Sequence, residues 1–246
     1  MDIKSRAGDI NTDAVVIVAT VRALKMHGGV PEKRLKEENV EALKGGMENL
    51  KKHIETIEQF GLPYIVAINK FPTDTENETN FIKTWCESRE VDVALTDVWA
   101  FGGNGGIELA ERLLPKTQNS PKKRQYIYDI EETLEAKIRK IAQKAYGAAD
   151  IELSAKAKKQ ITYFEKEGWG KLPVCMAKTQ YSLSDDPTLL GRPEDFTIMI
   201  RELQPSIGAG FIVVLTGEMM TMPGLPANPA ALNMDMTADG RVVGLF

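Results

Sequence analysis

Two aromatic side chains lie where a planar ligand could bind. Phe71 follows Pro63 to Asn69, whose apolar composition predicts a buried strand, and Trp99 ends a second such stretch, Val91 to Trp99. In open α/β sheets, ligands bind in the crevice outside the carboxyl ends of the strands. Each aromatic face contributes about 1–3 kcal/mol by stacking, by analogy with nucleic-acid bases. We predict a flat-ring site built on Phe71 and Trp99; the alternative is that both are ordinary core or rim aromatics.

Polar residues beside Phe71 indicate further ligand contacts. Asn69-Lys70, at the end of a buried strand, is similar to the NKxD signature with which G proteins bind guanine. Here a proline occupies the aspartate position, and the nearest aspartate is Asp74. An alternative is a strand-to-helix loop in which Thr73 or Thr75 caps the next helix. The candidate cofactor-binding residues are Asn69, Lys70 and Asp74, and a G-protein-like nucleotide-binding module is one competing hypothesis.

A glycine-rich run offers a possible anion site. Gly102-Gly103-Asn104-Gly105-Gly106 precedes a predicted helix, Ile107 to Leu114, which Pro115 is expected to end. Backbone N–H groups at a helix start can bind an anion. The run contains no lysine, which favours a simple tight turn. The phosphate-loop pattern GxxxxGK[ST] does not occur in the sequence, so the usual nucleotide-phosphate cradle is not visible.

Composition narrows the class of protein. The 246 residues are 43% hydrophobic and 27% charged, which is typical of a soluble globular protein. A net charge of -4 gives no reason to expect nucleic-acid binding. Cys86 and Cys175 form neither a disulfide framework nor a metal-ligand cluster, so we predict no metal site in this chain and a reducing, cytoplasmic location. No apolar run approaches the ~18 residues of a membrane span, and Met1 to Arg6 has no signal-peptide core.

The pattern of elements predicts an α/β protein: a mostly parallel sheet flanked by helices, followed by a smaller strand-rich α/β module. The apolar run 14–21 predicts a strand covered on both faces, and 22–31 a glycine-containing loop. His27 in that loop is interpreted as bonded to backbone rather than catalytic. Helices are predicted at 40–60, from 75, at 130–146 and at 155–166, with strands near 172–177, 196–203 and 211–215. The predicted domains are 1–50, 51–171 and 172–246.

Five sequence stretches together resemble formate–tetrahydrofolate ligase, also called formyltetrahydrofolate synthetase. They occur in family order along nearly the whole chain and are far more specific than a lone glycine motif. They are Val18-Ala19-Thr20-Val21-Arg22-Ala23-Leu24-Lys25, Asn69-Lys70-Phe71-Pro72-Thr73-Asp74-Thr75, Val98-Trp99-Ala100, Met176-Ala177-Lys178-Thr179-Gln180-Tyr181-Ser182 and Met220-Thr221-Met222-Pro223-Gly224-Leu225-Pro226.

The resemblance implies an activity and a set of ligands. The family joins formate to N10 of tetrahydrofolate with ATP and Mg²⁺, through formyl phosphate, is stimulated by a monovalent cation, and usually forms a homotetramer. Its pterin ring is sandwiched at the positions of Phe71 and Trp99, with Leu95 lining the pocket. Its phosphate loop lies in an amino-terminal half that is not seen here. The resemblance therefore implies the folate-side portion of a ligase, inactive alone; a noncatalytic interaction domain is a further alternative.

Overall fold

A computed structural model describes residues 1–118, 125–218, 227–240 and 242–244. The helices are α1 Lys4–Ala7, α2 Val21–His27, α3 Val40–Glu58, α4 Glu76–Glu87, α5 Val98–Phe101, α6 Ile107–Gln118, α7 Leu134–Ile141 and α8 Ala155–Lys166. The strands are β1 Val15–Ala19, β2 Tyr64–Asn69, β3 Val93–Thr96, β4 Asp150–Leu153, β5 Val174–Ala177, β6 Thr197–Ser206, β7 Phe211–Thr216, β8 Asp235–Met236 and β9 Val242–Val243.

The first sheet contains three parallel strands in the order β1-β2-β3. The central strand β2 is a continuous apolar run, and its Val66 and Ile68 are buried. The helix α3 covers the sheet with the apolar stripe that its sequence periodicity predicts, which includes Leu43, Met47 and Leu50. The predicted parallel sheet with flanking helices is therefore confirmed.

The second sheet has four strands in the order β4-β6-β7-β5. The pairs β4–β6 and β5–β7 are parallel, and β6 runs antiparallel to β7. Its core consists of alternate residues of β6 and β7 packed against α7 and α8, among them Ile198, Ile200, Leu203, Ile212 and Val214. This sheet is the strand-rich module that the sequence predicts after the first sheet.

Several local predictions were wrong. The segment predicted as a loop from residue 22 is the helix α2, because the Thr20 hydroxyl accepts a hydrogen bond from Ala23 N–H (3.1 Å) and caps it. The second predicted strand ends at Thr96 rather than Trp99. The helix α6 continues past Pro115 to Gln118. The strand β1 is not covered on both faces, since it lies at the sheet edge and Val18 is 64% exposed.

Other boundaries follow the sequence signals. Ser154 caps α8 as predicted, and the chain turns at Gly168, whose φ is 80°. The predicted helix at 130–146 is α7 followed by a π-helical turn, Ala142–Tyr146. The second sheet includes β4, which precedes residue 172, but sheet membership does not define a domain boundary, so the three predicted domains stay predictions. The methionine–proline stretch at 219–226 lies outside the described residues.

Within the described part of the chain, none of the helices has the length and apolar character needed to cross a membrane.

Candidate functional site

The loop after β2 forms a tight turn that fixes the backbone of Phe71. The N–H of Phe71 donates to Asp74 Oδ2 (2.9 Å), and the N–H of Asp74 donates to the Phe71 carbonyl (2.9 Å). Asp74 is only 8% exposed, and its Oδ1 has no hydrogen-bond partner among the described residues. Burial raises the pKa of the Asp74 carboxyl. These reciprocal bonds hold the half-buried Phe71 in place at the carboxyl end of β2.

A buried ion pair anchors the same loop where it enters α4. Lys25 Nζ lies 2.8 Å from Glu78 Oε1, and both side chains are 0% exposed. Glu78 also accepts from the N–H groups of Thr75 (3.2 Å) and Asn39 (2.9 Å), and Lys25 also donates to the Glu37 carbonyl (2.9 Å). Burial raises the pKa of Glu78, but these hydrogen bonds outweigh it and the pKa lies below its ordinary value. Thr75 and Glu78 form the capping box that begins α4, so capping by Thr75 is confirmed.

Trp99 lies on α5, which follows β3, and its side chain is 75% exposed. The glycine run after α5 folds back onto the end of β3, because Asp97 N–H donates to the Gly105 carbonyl (3.0 Å). A Cβ atom at Gly105 would lie 2.2 Å from the Asp97 carbonyl oxygen, so this position requires glycine. The geometry therefore favours the tight-turn interpretation of the run over an anion site.

The register of β2 and β3 places most candidate residues at one edge of the sheet. Asn69 pairs with Thr96, and the N–H of Lys70 donates to the Thr96 carbonyl (2.9 Å). Lys70 Nζ lies 3.9 Å from Asp97 Oδ2. Leu95 lies within β3, half-buried against the core of the first sheet. Phe71 and Trp99 thus follow neighbouring strands at the same sheet edge. Contact of any of these residues with a ligand stays a prediction.

One residue at this edge was missed by the sequence analysis. Arg22, at the start of α2, places its Cζ over the Phe71 ring, 5.9 Å from the ring centroid. The available signal was its position just past the apolar run of β1, equivalent to the position of Phe71 after β2. Because the segment was interpreted as a loop, that equivalence was not recognised.

A groove of about 520 Å³ is lined by β1, α2 and α3. His27 and His53 both line it, and burial lowers the pKa of each imidazole. His27 Nδ1 accepts a hydrogen bond from Gly191 N–H (3.2 Å). The interpretation of His27 as a backbone-bonded histidine is therefore confirmed.

The parallel sheet, with aromatic and cationic side chains past its strand ends, has the arrangement of open α/β proteins that bind ligands at that edge. The sequence profile of the family described as formate–tetrahydrofolate ligase matches residues 1–246, which is the whole chain. The chain belongs to this family of ligases, and the resemblance drawn from the five stretches is confirmed. Family membership favours an enzyme of one-carbon metabolism with formate and tetrahydrofolate as substrates.

Proposed function

We propose that this chain provides the tetrahydrofolate-binding side of an enzyme that forms 10-formyltetrahydrofolate from formate and tetrahydrofolate. In this reaction N10 attacks the formyl carbon of formyl phosphate, phosphate leaves, and N10 loses its proton to give the neutral amide. The observation that supports the proposal most strongly is the position of Phe71 and Trp99 after two neighbouring parallel strands. The family match supplies the identity of the substrates.

The proposed site holds the pterin ring between the faces of Phe71 and Trp99, with Leu95 lining the pocket. The high exposure of Trp99 leaves its indole available to a ligand, and the hydrogen bonds of Asp74 keep Phe71 oriented. Polar contacts come from the candidate residues Asn69, Lys70 and Asp74. Two aromatic faces select for a planar ring, because stacking on both requires a flat ligand.

We also propose that ATP, Mg²⁺ and the monovalent cation are bound mainly by groups outside this chain. The sequence lacks the GxxxxGK[ST] pattern, and among the described residues no three or more His, Cys, Asp or Glu side chains are grouped to hold a metal ion. The residues present do not fit a Mg²⁺–ATP site, so we derive no step through it. The chain alone should therefore not make formyl phosphate. We further propose that the protein is located in the cytoplasm and that the full-length enzyme is a homo-oligomer.

Ligand binding by the purified chain tests the folate site. Tetrahydrofolate should quench the fluorescence of Trp99, and Trp99→Ala should abolish the quench. Phe71→Ala should raise the dissociation constant by about tenfold or more, since one stacking face is lost. Phe101→Ala is the matched control, because Phe101 lies on the same helix and is 66% exposed. Folate binding that survives both Trp99→Ala and Phe71→Ala would exclude this site.

Two further measurements separate the alternatives. Calorimetry with GTP and GDP should give no tight binding, whereas tight guanine-nucleotide binding would favour a G-protein-like module. Addition of a separately made phosphate-loop portion of a family member should restore ATP-dependent formylation. Turnover by this chain alone would show that it binds the ATP phosphates itself, and a chain that only associates, without binding folate, would be a noncatalytic interaction domain.

A further inference from the structure

Arg22 carries a positive charge that has no ion-pair partner among the described residues. The side chain is exposed, and its guanidinium makes no hydrogen bond or ion pair with the described residues. It does make a cation–π contact with the Phe71 ring. Several other arginines among the described residues form ion pairs. Arg192 makes two bonds of 2.8 Å to the Glu55 carboxylate, and Arg34 lies 2.8 Å from Glu37 Oε2.

Each of the two carboxylates at this edge, Asp74 and Asp97, already has a partner among the described residues, although Asp74 Oδ1 has none. The buried Asp74 accepts the N–H of Phe71, and Asp97 lies 3.9 Å from Lys70 Nζ. Arg22 does act on Asp74 at long range, since its charge opposes the rise in pKa that burial causes there. The edge next to Phe71 therefore has two cations, Arg22 and Lys70, and Arg22 is the one without an ion-pair partner among the described residues.

We infer that Arg22 binds an oxyanion of the substrate while the pterin ring occupies the Phe71 site; this inference rests on the proposed function. A guanidinium is planar and donates two parallel hydrogen bonds to a carboxylate or a phosphoryl group. The reaction supplies both kinds of oxyanion: the glutamate carboxylates of tetrahydrofolate and the phosphoryl group of formyl phosphate. Arg22 is thereby a specificity-determining residue that links ring stacking to recognition of the charged part of the substrate.

The competing role for Arg22 is to back the Phe71 ring by a cation–π contact alone. The two roles differ in their dependence on the anionic group of the ligand. Loss of an oxyanion contact weakens only ligands that carry the anion, whereas loss of ring support weakens every pterin equally. Tetrahydropteroate, which lacks the glutamate, distinguishes them.

The test uses the whole chain as wild type, Arg22→Gln, Arg22→Lys and the control Arg34→Gln, which removes one exposed positive charge that pairs with Glu37. Fluorescence titrations with tetrahydrofolate and tetrahydropteroate give dissociation constants. Calorimetric titration of the tetrahydrofolate-saturated protein with inorganic phosphate measures the affinity for a phosphoryl group. Equal melting temperatures verify that each variant is folded.

Arg22→Gln should weaken tetrahydrofolate by about tenfold or more and leave tetrahydropteroate unchanged if the glutamate is the anion. If the phosphoryl group is the anion, the same variant should retain tetrahydrofolate affinity and lose phosphate binding. Arg22→Lys should recover part of either loss, and Arg34→Gln should match the wild type. Unchanged binding in both arms, or equal weakening of both pterins, overturns the inference. Failure of the wild type to bind tetrahydrofolate overturns the proposed function itself, and the inference with it.

Discussion

The buried pair Lys25–Glu78 supports the Phe71 loop, because Glu78 bonds both Lys25 and the backbone N–H of Thr75. Removal of one partner leaves an uncompensated buried charge, which costs about 3–5 kcal/mol. Lys25→Met should therefore lower the free energy of unfolding by about that amount in urea titrations. The double variant Lys25→Met/Glu78→Leu should be less destabilised, because no charge remains buried.

The exposed pair Lys44–Glu41 is the matched control, since its atoms lie 2.6 Å apart while its side chains are 55% and 81% exposed. Lys44→Met should change the unfolding free energy by less than about 1 kcal/mol. Similar small effects of Lys25→Met and Lys44→Met would show that the buried pair does not anchor the loop.

Single residues differ in how far sequence could predict their roles. Thr75 was predictable as a cap, because a capping box is a local pattern of four residues. Phe71 and Trp99 could be selected from their positions near strand ends. The pair Lys25–Glu78 could not, since its members are 53 positions apart and pair only through folding. Arg22 was missed because its helix was interpreted as a loop.

At the scale of elements, α2 and α3 pack closely at Gly46 of α3. A Cβ at Gly46 would lie 1.9 Å from the Leu24 carbonyl oxygen, whereas a Cβ at Gly45 would meet only the Gly28 Cα at 3.6 Å. Gly46→Ala should therefore separate the two helices and destabilise the protein. Gly45→Ala should be neutral or stabilise it by up to about 1 kcal/mol, because alanine favours helix.

Thermal unfolding of the two variants checks this prediction, and each position serves as the control for the other. Equal effects of Gly45→Ala and Gly46→Ala would show that helix propensity alone, rather than close packing, determines the result.

Element prediction succeeded where a long periodic pattern was present. The apolar stripe of α3 and the apolar run of β2 predicted both elements with bounds close to those observed. Short elements failed, because a single cap outweighs composition over a few residues: Thr20 begins α2 in a segment that ends in glycines. The end of β3 was also missed, since apolar residues continue into the exposed turn of α5.

At the scale of the whole molecule, the segment before β6 is one of the links between the two sheets. Gly191, which precedes β6, donates its N–H to His27 Nδ1 (3.2 Å) and accepts from Asn49 Nδ2 (2.9 Å). The neighbouring Arg192 binds Glu55 of α3. These contacts bind the segment before β6 of the second sheet to α2 and α3, which pack on the first sheet.

The His27 contact makes the junction sensitive to pH. Burial lowers the pKa of His27 below its ordinary 6.5 in the folded protein, so the unfolded chain binds the proton more readily. The stability that neutral His27 contributes is present above pH 6.5 and is lost as the pH falls through the folded-state pKa. Once protonated, Nδ1 can no longer accept the hydrogen bond from Gly191 N–H. His27→Gln should reduce this loss, because its side-chain oxygen keeps an acceptor that does not titrate.

Urea unfolding above and below pH 6.5 measures the effect, together with hydrogen exchange of the Gly191 amide. His53 has a lowered pKa as well and remains in the variant, so a residual pH dependence is expected. An identical pH dependence in wild type and His27→Gln would contradict the role of His27.

The position of β1 has a consequence for solution behaviour. Among the described residues this apolar strand pairs only with β2, and unfilled N–H and carbonyl groups on its other side are a template for strand addition. The apparent molar mass of the isolated chain in light scattering should therefore rise with concentration. A lysine gatekeeper at this position, Val18→Lys, should suppress the rise, while Val98→Lys, which alters an apolar residue 48% exposed on α5, should not.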